Sequence, residues 1–447
     1  MPTYGAYKDS GVEWLGEVPA HWLLKKLKHI GVIYAGLAGK KGEDFSKQPR
    51  DGFSPFVPFT SIANNTAEVK NIYQYVFVRK HEEQSFVKKN DLLFLMSSET
   101  LDDIAKCSLY LGDNNPLYLN SFCKGFRITS EKSIPKYINY LLQSDNYRHY
   151  FGVVARGFTR INLKQEFING APILLPPAPE QTAIAAFLDR KTAQIDQAVA
   201  IKEQQIALLK EHKQILIQTA VTRGLDPNVP MRDSGVKWIG EIPAHWEIRR
   251  SKFVFTQRKE LAKPGDVQLS ATQAYGVIPQ DEYESKIERR VVKIQFHLEK
   301  RKHVEIDDFV ISMRSFQGGL ERAWSEGCIR SSYVVLRPLI KLNASYYGYL
   351  FKSSRYISAL QSTANFIRDG QDLNFENFSM IDLPIAPLEE QCKIADYLDN
   401  QIFLLNKSTE LLLQQIDKLK EYKTTLINSA VTGKIRVAES VQCGAEL

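Results

Sequence analysis

The chain has 447 residues, of which 44% are hydrophobic and 11% aromatic, with a formal net charge of +7. This length predicts more than one domain, each able to bury a core, and the mild basic charge permits nucleic-acid binding without requiring it. A membrane span is not predicted because no run of about 18 apolar residues occurs. The first residues have neither the basic nor the apolar region of a secretion signal, so we expect a cytoplasmic protein.

One segment near the start of the chain occurs again in its middle. Residues 8–22 read KDSGVEWLGEVPAHW and residues 232–246 read RDSGVKWIGEIPAHW, with eleven of the fifteen positions identical. The Gly-Glu-(Val/Ile)-Pro-Ala-His-Trp part predicts an irregular loop, because proline fixes φ and disfavours helix in the residue before it. We expect the repeated tryptophans to anchor this loop to an apolar surface.

The two segments that follow the repeats differ from each other in sequence. Each contains short runs rich in β-branched and aromatic residues, bounded by Gly, Asn, Asp or Pro, which predict strands. The runs are 56–62, 75–80, 91–98 and 107–112 in the first segment, and 266–272, 307–315 and 331–338 in the second. Helical stretches follow at 134–151 and 343–361. Each segment therefore predicts one domain of mixed β and α structure.

Two long helices are predicted after these domains. From Glu180 and Glu390 the chain aligns with itself without a gap for 43 residues, 18 of them identical and none Gly or Pro. Apolar residues recur every seven positions, which predicts coiled-coil packing of one helix against the other, with Lys202 interrupting the first series. The predicted coiled-coil residues are Leu188, Ile195, Leu209 and Leu216 in the first helix, and Leu398, Leu405, Leu412, Leu419 and Leu426 in the second.

The predicted fold class is thus α/β (α+β), with two similar mixed domains, two long antiparallel coiled-coil helices and a pseudo-two-fold internal repeat. The predicted boundaries place the first repeat and domain at 1–175 and the second at 225–385. The long helices occupy 176–224 and 386–435, and a tail covers 436–447.

Motifs of catalysis are missing from the sequence. It contains no GxGxxG, no GxxxxGK[ST], no GxSxG and no HExxH. The five cysteines form no CxxC pair and are expected to be reduced and buried, so no metal site is predicted. The acidic pair Asp307-Asp308 is interpreted as a solvated turn. We expect a non-catalytic chain, with a nuclease of unrecognised motif as an alternative.

Polar loops in both domains are candidates for DNA contact, with ordinary exposed loops as the competing interpretation. Arginine pairs bidentately with guanine, and asparagine or glutamine pairs with adenine. The candidates are Thr60, Ser61, Asn64, Asn65, Arg156, Thr159, Arg160 and Asn162 in the first domain, and Ser270, Thr272, Gln273, Arg314, Gln317, Arg368 and Gln371 in the second.

Taken together, these motifs resemble the specificity subunit of Type I restriction-modification systems. The resemblance is carried by W(L/I)GE(V/I)PAHW at the start of each half and by P-x-x-EQ at the start of each long helix. It implies two target-recognition domains that each read one half of a split double-stranded DNA site, and two helices that act as a ruler. Because the domains differ in sequence, an asymmetric target is expected.

The resemblance also implies partners. Two methyltransferase subunits would bind this chain, and restriction subunits would join through them. S-adenosylmethionine, ATP and Mg²⁺ would belong to those partner subunits, with no cofactor in this chain. The alternative from another class is a duplicated coiled-coil adaptor without DNA specificity.

Overall fold

The computed structural model describes residues 2–64, 68–69, 74–292, 296–363 and 374–437. Two long helices, Ala178–Arg223 and Leu388–Val431, accompany many short strands and helices. The contacts divide the chain into two compact units, one of Met1–Ile201 with Gln414–Leu447 and one of Lys202–Leu413. Both divisions fall inside the long helices, so each unit contains a part of both. The five-segment division expected from the sequence stays a prediction.

The first unit contains two larger sheets. One has five strands in the spatial order Gly31–Ala35, Cys123–Ile128, Leu92–Leu95, Cys107–Tyr110 and Glu68–Val69. The other has four strands in the order Tyr118–Leu119, Phe53–Val57, Gln74–Phe77 and Phe45–Ser46. Three two-stranded ladders pair Tyr7–Asp9 with Glu17–Pro19, Leu23–Lys26 with Pro172–Leu175, and Ser97–Ser98 with Ile161–Asn162. The shorter helices are Phe59–Asn64, Pro135–Gln143, Asp145–Val154 and Gln165–Gly170, with 3-10 turns at Leu27–His29 and Gly42–Asp44.

The second unit repeats the plan with a smaller β portion. Its largest sheet has four strands in the order Phe255–Arg258, Val334–Pro338, Phe309–Ile311 and Glu321–Arg322. Two-stranded ladders pair Met231–Asp233 with Glu241–Pro243, Glu247–Arg250 with Asp382–Ile385, Leu269–Thr272 with Gly276–Pro279, and Lys302–Val304 with Gly327–Ile329. The shorter helices are Gln280–Ile287, Ser315–Gly318, Ala344–Lys352, Ser354–Ser362 and Phe375–Ser379, with 3-10 turns at Ser251–Phe253 and Leu298–Lys300.

Two sequence interpretations are corrected by this architecture. The run 56–62 is not one strand, because the strand Phe53–Val57 ends before Pro58 and a helix begins at Phe59. Asp308 is not in a solvated turn: it is buried, and its carboxylate accepts hydrogen bonds from the buried Arg258 at 2.6 and 3.2 Å. Buried charges require such pairing.

The two long helices pack antiparallel within each unit. In the first unit Leu188 and Leu426 belong to one core, and Lys423 Nζ lies 2.7 Å from Asp196. In the second unit Lys213 Nζ donates to Asn406 Oδ1 at 3.1 Å. Lys213 and Lys423 are equivalent in the internal repeat, as are Asp196 and Asn406, so the same crossing contact occurs twice.

The predicted heptad residues are buried or partly buried on the long helices, and their assignment to a coiled-coil seam stays a prediction. Leu188, Ile195, Leu398 and Leu426 are buried, and Leu209, Leu216, Leu405, Leu412 and Leu419 are partly buried. The predicted fold class, with its mixed domains and long paired helices, is confirmed. Among the described residues, no helix combines the length and apolar character that a membrane span needs.

Candidate nucleic-acid interface

Each repeated segment contacts the first turn of a long helix. The irregular loop expected there is in part a hairpin, because Glu17–Pro19 and Glu241–Pro243 are paired strands. The indole Nε1 of Trp22 donates to Glu180 Oε1 at 3.1 Å, and that of Trp246 donates to Glu390 Oε2 at 2.9 Å. Both tryptophans are buried, and a buried indole usually has a hydrogen-bond partner for its N–H group. The neighbouring histidines contact the same carboxylates, His21 at 2.8 Å from Glu180 and His245 at 2.6 Å from Glu390. These residues therefore attach each domain to the start of a long helix, and we call the Trp22–Glu180 and Trp246–Glu390 contacts the mount.

A second pair of equivalent contacts fixes each domain to the long helices. Tyr137 Oη donates between Leu174 O at 3.2 Å and Val431 O at 3.3 Å in the first unit, and Tyr346 Oη donates to Val221 O at 2.8 Å in the second. Burial raises the pKa of Tyr137 and of Tyr346 well above the ordinary value, so both phenols stay protonated donors. Each domain thus contacts a long-helix segment of its own unit through an equivalent tyrosine hydrogen bond.

The predicted loop of the first domain follows the helix Asp145–Val154. Arg156 donates to Ala155 O at 2.9 Å and to Val153 O, so its side chain caps the helix end and is held by the backbone. Arg160 is exposed, and its guanidinium lies 4.6 Å above the ring of Phe122. Thr159 and Asn162 are also exposed, and Asn162 Nδ2 donates to Arg160 O at 3.2 Å.

The helix Phe59–Asn64 reaches the same surface through an aromatic contact. The rings of Phe59 and Phe122 meet edge to face with centroids 6.4 Å apart, and both rings are exposed. Thr60 and Asn64 are exposed on this helix, whereas Ser61 is buried. We call Phe59, Thr60, Phe122 and Arg160 the Phe122 surface.

The structure brings three predicted residues of the second domain together. Gln273, in the turn between Leu269–Thr272 and Gly276–Pro279, donates from Nε2 to Arg314 O at 3.0 Å. A Cβ on Gly318 would lie 2.5 Å from the Gln273 side chain, so this turn packs closely on the helix Ser315–Gly318. Gln273, Arg314 and Gln317 are all exposed, and we call them the Gln273 surface.

Two other candidates in this domain have local structural roles. Thr272 is buried, and its Oγ1 donates to Gly276 O and accepts from Tyr275 N, which stabilises the turn. Ser270 is half-buried in the strand. Asn65, Arg368 and Gln371 lie outside the described residues.

Sequence reasoning missed an exposed aromatic beside the Gln273 surface. The guanidinium of Arg322 lies 4.2 Å from the ring centre of Trp324, and the indole is 54% exposed. Both residues line a cavity of about 730 Å³ that also contains Gln273 and Glu321. Burial raises the pKa of Glu321 to about 7, although Lys352 Nζ at 2.7 Å opposes this rise. The Arg-Ala-Trp spacing at 322–324 was the available signal, since exposed aromatics near arginine suit base stacking.

An apolar face of the second unit was also missed, because it lies outside the heptad seam. Leu208, Leu404 and Leu411 are exposed on the long helices, and we call them the Leu208 face. Leu208 and Leu411 line an open groove of about 570 Å³ with Leu209 and Leu412. Two positions that are equivalent in the repeat carry polar residues in the first unit, Lys418 for Leu208 and Gln194 for Leu404. Contiguous exposed apolar residues are typical of protein-binding surfaces.

Comparison with known proteins identifies the family. Residues 19–211 and 246–420 match the Type I restriction modification DNA specificity domain. The chain is 23% identical to the type I restriction enzyme MjaX specificity subunit of Methanocaldococcus jannaschii over 444 residues, 95% of this chain and 96% of that protein. It is 25% identical to the EcoKI specificity subunit of Escherichia coli K12 over 241 residues, 53% of this chain and 48% of that protein.

Two solved structures share the fold. One is a chain from the structural study of "complex assembly and conformational transition of the type I R-M system", with a TM-score of 0.67, 15% identity, and coverage of 94% of this chain and 99% of that one. The other is the HsdS subunit from Thermoanaerobacter tengcongensis, with a TM-score of 0.54, 16% identity, and coverage of 96% and 100%. On the family match to both halves, this chain belongs to the family of Type I restriction-modification specificity subunits.

Proposed function

We propose that this chain reads a split, asymmetric DNA target for a Type I restriction-modification complex, with one half-site for each domain. The proposal rests on one observation: equivalent tryptophan–glutamate contacts hold two domains whose exposed surfaces differ. Trp22–Glu180 and Trp246–Glu390 hold the two domains alike. What they hold differs, since the Phe122 surface carries aromatic rings and Arg160, whereas the Gln273 surface carries Gln273 and Arg314.

The chemistry of these surfaces suits base recognition. Arg160 and Arg314 can form bidentate hydrogen bonds with guanine, and Gln273 and Gln317 can do so with adenine. The exposed ring of Phe122 positions the exposed Arg160 guanidinium above it through a cation–π contact. Because the residue types differ between the domains, the two half-sites differ in sequence.

The long helices are the element that sets the unread gap between the half-sites. They contain 46 and 44 residues without a break, which at about 1.5 Å per residue is roughly 65–70 Å of helix each. Two protein modules that read one side of a duplex require half-site centres about one helical turn apart, or 10–10.5 bp. A continuous, paired helix is stiff enough to hold one such spacing.

Methyltransferase subunits are the proposed partners of the Leu208 face, with restriction subunits joined through them. The support is the exposed apolar groove and the specificity-subunit names of the relatives. In this scheme two methyltransferase subunits bind per chain, and S-adenosylmethionine, ATP and Mg²⁺ act on the partner subunits. The chain itself performs no catalysis. The alternative function, an adaptor without DNA specificity, would not explain why two equivalently attached domains carry different polar surfaces.

The first experiment is modified-base mapping of host DNA with the chain present and deleted. We expect N6-methyladenine to disappear from one split, asymmetric motif upon deletion. A motif that is palindromic would contradict the assignment of one half-site to each unlike domain. Methylation that persists unchanged would contradict the specificity role itself.

Single substitutions then assign the half-sites. Arg160→Ala should reduce methylation by relaxing one half of the motif, and Arg314→Ala should relax the other half, each by about 10- to 100-fold in affinity. The matched control is Lys164→Ala, which removes an exposed positive charge close to Arg160 in sequence but outside the Phe122 surface. The assignment fails if Lys164→Ala relaxes the same bases, or if both arginine variants affect one half-site.

A further inference from the structure

His303 in the second unit is a buried imidazole surrounded by carboxylates. It lies on the strand Lys302–Val304, and its side chain has no solvent-exposed surface. Its Nδ1 is 2.9 Å from Asp266 Oδ2, and its Nε2 is 3.5 Å from Glu326 Oε1 and 3.9 Å from Glu305 Oε1. Four residues that commonly bind metals thus meet around one ring.

The hydrogen bond to Asp266 involves one of the two ring nitrogens, Nδ1. Asp266 accepts at Oδ2 from Nδ1 of His303 and from the backbone N–H of Lys263 at 2.9 Å. With Nδ1 donating to Asp266, the ring nitrogen that could bind a metal ion is Nε2. Nε2 is buried and has no hydrogen-bond partner among the described residues. A buried ring nitrogen without a hydrogen-bond partner is costly, and this one faces the carboxylates of Glu305 and Glu326.

We propose that His303, Glu305 and Glu326 bind a divalent transition-metal ion, of which zinc is the best match. Ligand atoms around tetrahedral zinc are about 3.3 Å apart when each bond is 2.0–2.1 Å. The distances of 3.5 and 3.9 Å from Nε2 to the two carboxylates are close to this separation. One imidazole with two carboxylates is a nitrogen–oxygen set that suits zinc, and the two negative charges balance the ion.

Each remaining group has a defined place around this ion. Asp266 holds the imidazole from behind, as the carboxylate partners of metal-bound histidines do. Glu305 binds Arg258 through its other oxygen, Oε2, at 2.7 Å, which leaves Oε1 for the ion. Lys263 Nζ lies 3.9 Å from Glu326 Oε1, which is too distant for a hydrogen bond. This site was not predictable from the sequence, because Glu326 lies in a different segment from His303 and Glu305.

The ion would tie together the framework beneath the Gln273 surface. Glu326 precedes the strand Gly327–Ile329, and Asp266 precedes Leu269–Thr272, whose turn carries Gln273. Only this consequence for DNA reading rests on the proposed function. Metal binding itself is measured without DNA, so its failure leaves the DNA assignment intact.

The test is zinc binding by the full chain, prepared without a histidine tag and dialysed against chelator. Titration calorimetry with zinc and metal analysis should give one ion per chain for the wild type. Glu326→Gln should weaken binding at least tenfold, since it removes a ligand at a side chain that is 58% exposed and tolerates substitution. The matched control is His297→Ala, which removes an exposed histidine beside Glu299 and should leave zinc affinity unchanged.

A second variant protects the test against misfolding. Asp266→Asn keeps the shape of the side chain and should lower affinity by about 10- to 100-fold, as the loss of a supporting carboxylate does. Zinc should also raise the unfolding temperature of the wild type and not that of Glu326→Gln. The proposal is overturned if the wild type binds no ion, or if His297→Ala loses affinity as Glu326→Gln does.

Discussion

Glu180 connects Tyr4 and two side chains of the repeated segment to the start of a long helix. Its Oε1 accepts from Tyr4 Oη at 2.5 Å and from Trp22 Nε1 at 3.1 Å, and its Oε2 faces His21 at 2.8 Å. A carboxylate in the first helical turn is also favoured by the helix dipole. Glu390 has the equivalent position and accepts from Trp246. The recurrence of His and Trp in both repeats is therefore explained by their equivalent contacts with Glu180 and Glu390.

Trp246→Phe should destabilise the second unit by about 1.5–3 kcal/mol, because it removes the hydrogen bond from the buried indole N–H to the Glu390 carboxylate. The matched control is Trp238→Phe, since the Nε1 of Trp238 has no hydrogen-bond partner among the described residues. Urea unfolding of the full chain followed by circular dichroism measures both variants. Equal losses for the two variants would show that ring volume, and not the hydrogen bond, explains the effect.

The candidate DNA-binding residues show what sequence can and cannot predict at this scale. Residue type singled out Arg156 and Thr272, but both side chains bond to the local backbone. Short polar residues and arginines near turns often do so, and the sequence pattern is the same in either case. Conversely, the exposed Phe122 and Trp324 were missed because aromatic residues are usually buried, and only the fold shows which ones are not.

The long helices were predictable as elements, whereas the sheets were only partly so. A heptad is a local pattern, and residues such as Leu188 and Leu398 report it directly. Strand pairing is not local: Gly31–Ala35 pairs with Cys123–Ile128, far away in the chain. The Leu208 face was not predicted, because apolar residues of the long helices were interpreted only as contacts between the two helices. The sequence does not show which of them are exposed.

The helix ends give a prediction at the scale of the element. Gly433 and Gly224 follow the two long helices with φ of +75° and +74°, a conformation that costs an alanine about 1–2 kcal/mol. A Cβ at Gly433 would also lie 2.4 Å from the Pro19 ring, whereas the nearest atom at Gly224 is 3.5 Å away, in Trp246. Gly433→Ala should therefore cost about 1–3 kcal/mol more than Gly224→Ala.

Thermal unfolding followed by tryptophan fluorescence compares these glycine variants. Pro19 belongs to the repeated segment, so Gly433→Ala should disturb the surroundings of Trp22 specifically. If the two variants lose the same stability, the contact between Gly433 and Pro19 contributes nothing, and only backbone strain is measured.

At the scale of the molecule, the internal repeat predicted the order of the elements and the equivalent attachment of both domains to the long helices. It did not predict the strand arrangement inside each domain. Both units contain a hairpin, a mixed domain and segments of two helices. The first has a five-stranded and a four-stranded sheet, whereas the largest sheet of the second has four strands. The domains differ in the regions that make none of the mount contacts, and these are the regions in which the two halves of the sequence align poorly.

The final prediction concerns the helices as a ruler. One heptad is inserted after Ile201 and one after Leu413, the two points at which the contacts divide the chain. Seven residues preserve the apolar seam, because the seam repeats every seven, and they add about 10 Å of helix. This length corresponds to roughly three base pairs at 3.4 Å each. We expect the methylated motif to keep both half-sites and to gain about three base pairs in its gap.

A single insertion after Ile201 is the control for this experiment. It moves one helix by seven residues against the other, so crossing contacts such as Lys423–Asp196 and Lys213–Asn406 cannot both be kept. Methylation should then fall, because one of the two domains loses its fixed position. If the double insertion leaves the gap unchanged, the spacing is set by the partner subunits, and the long helices serve assembly alone. If it changes the bases of a half-site, the domains do not read independently of their helices.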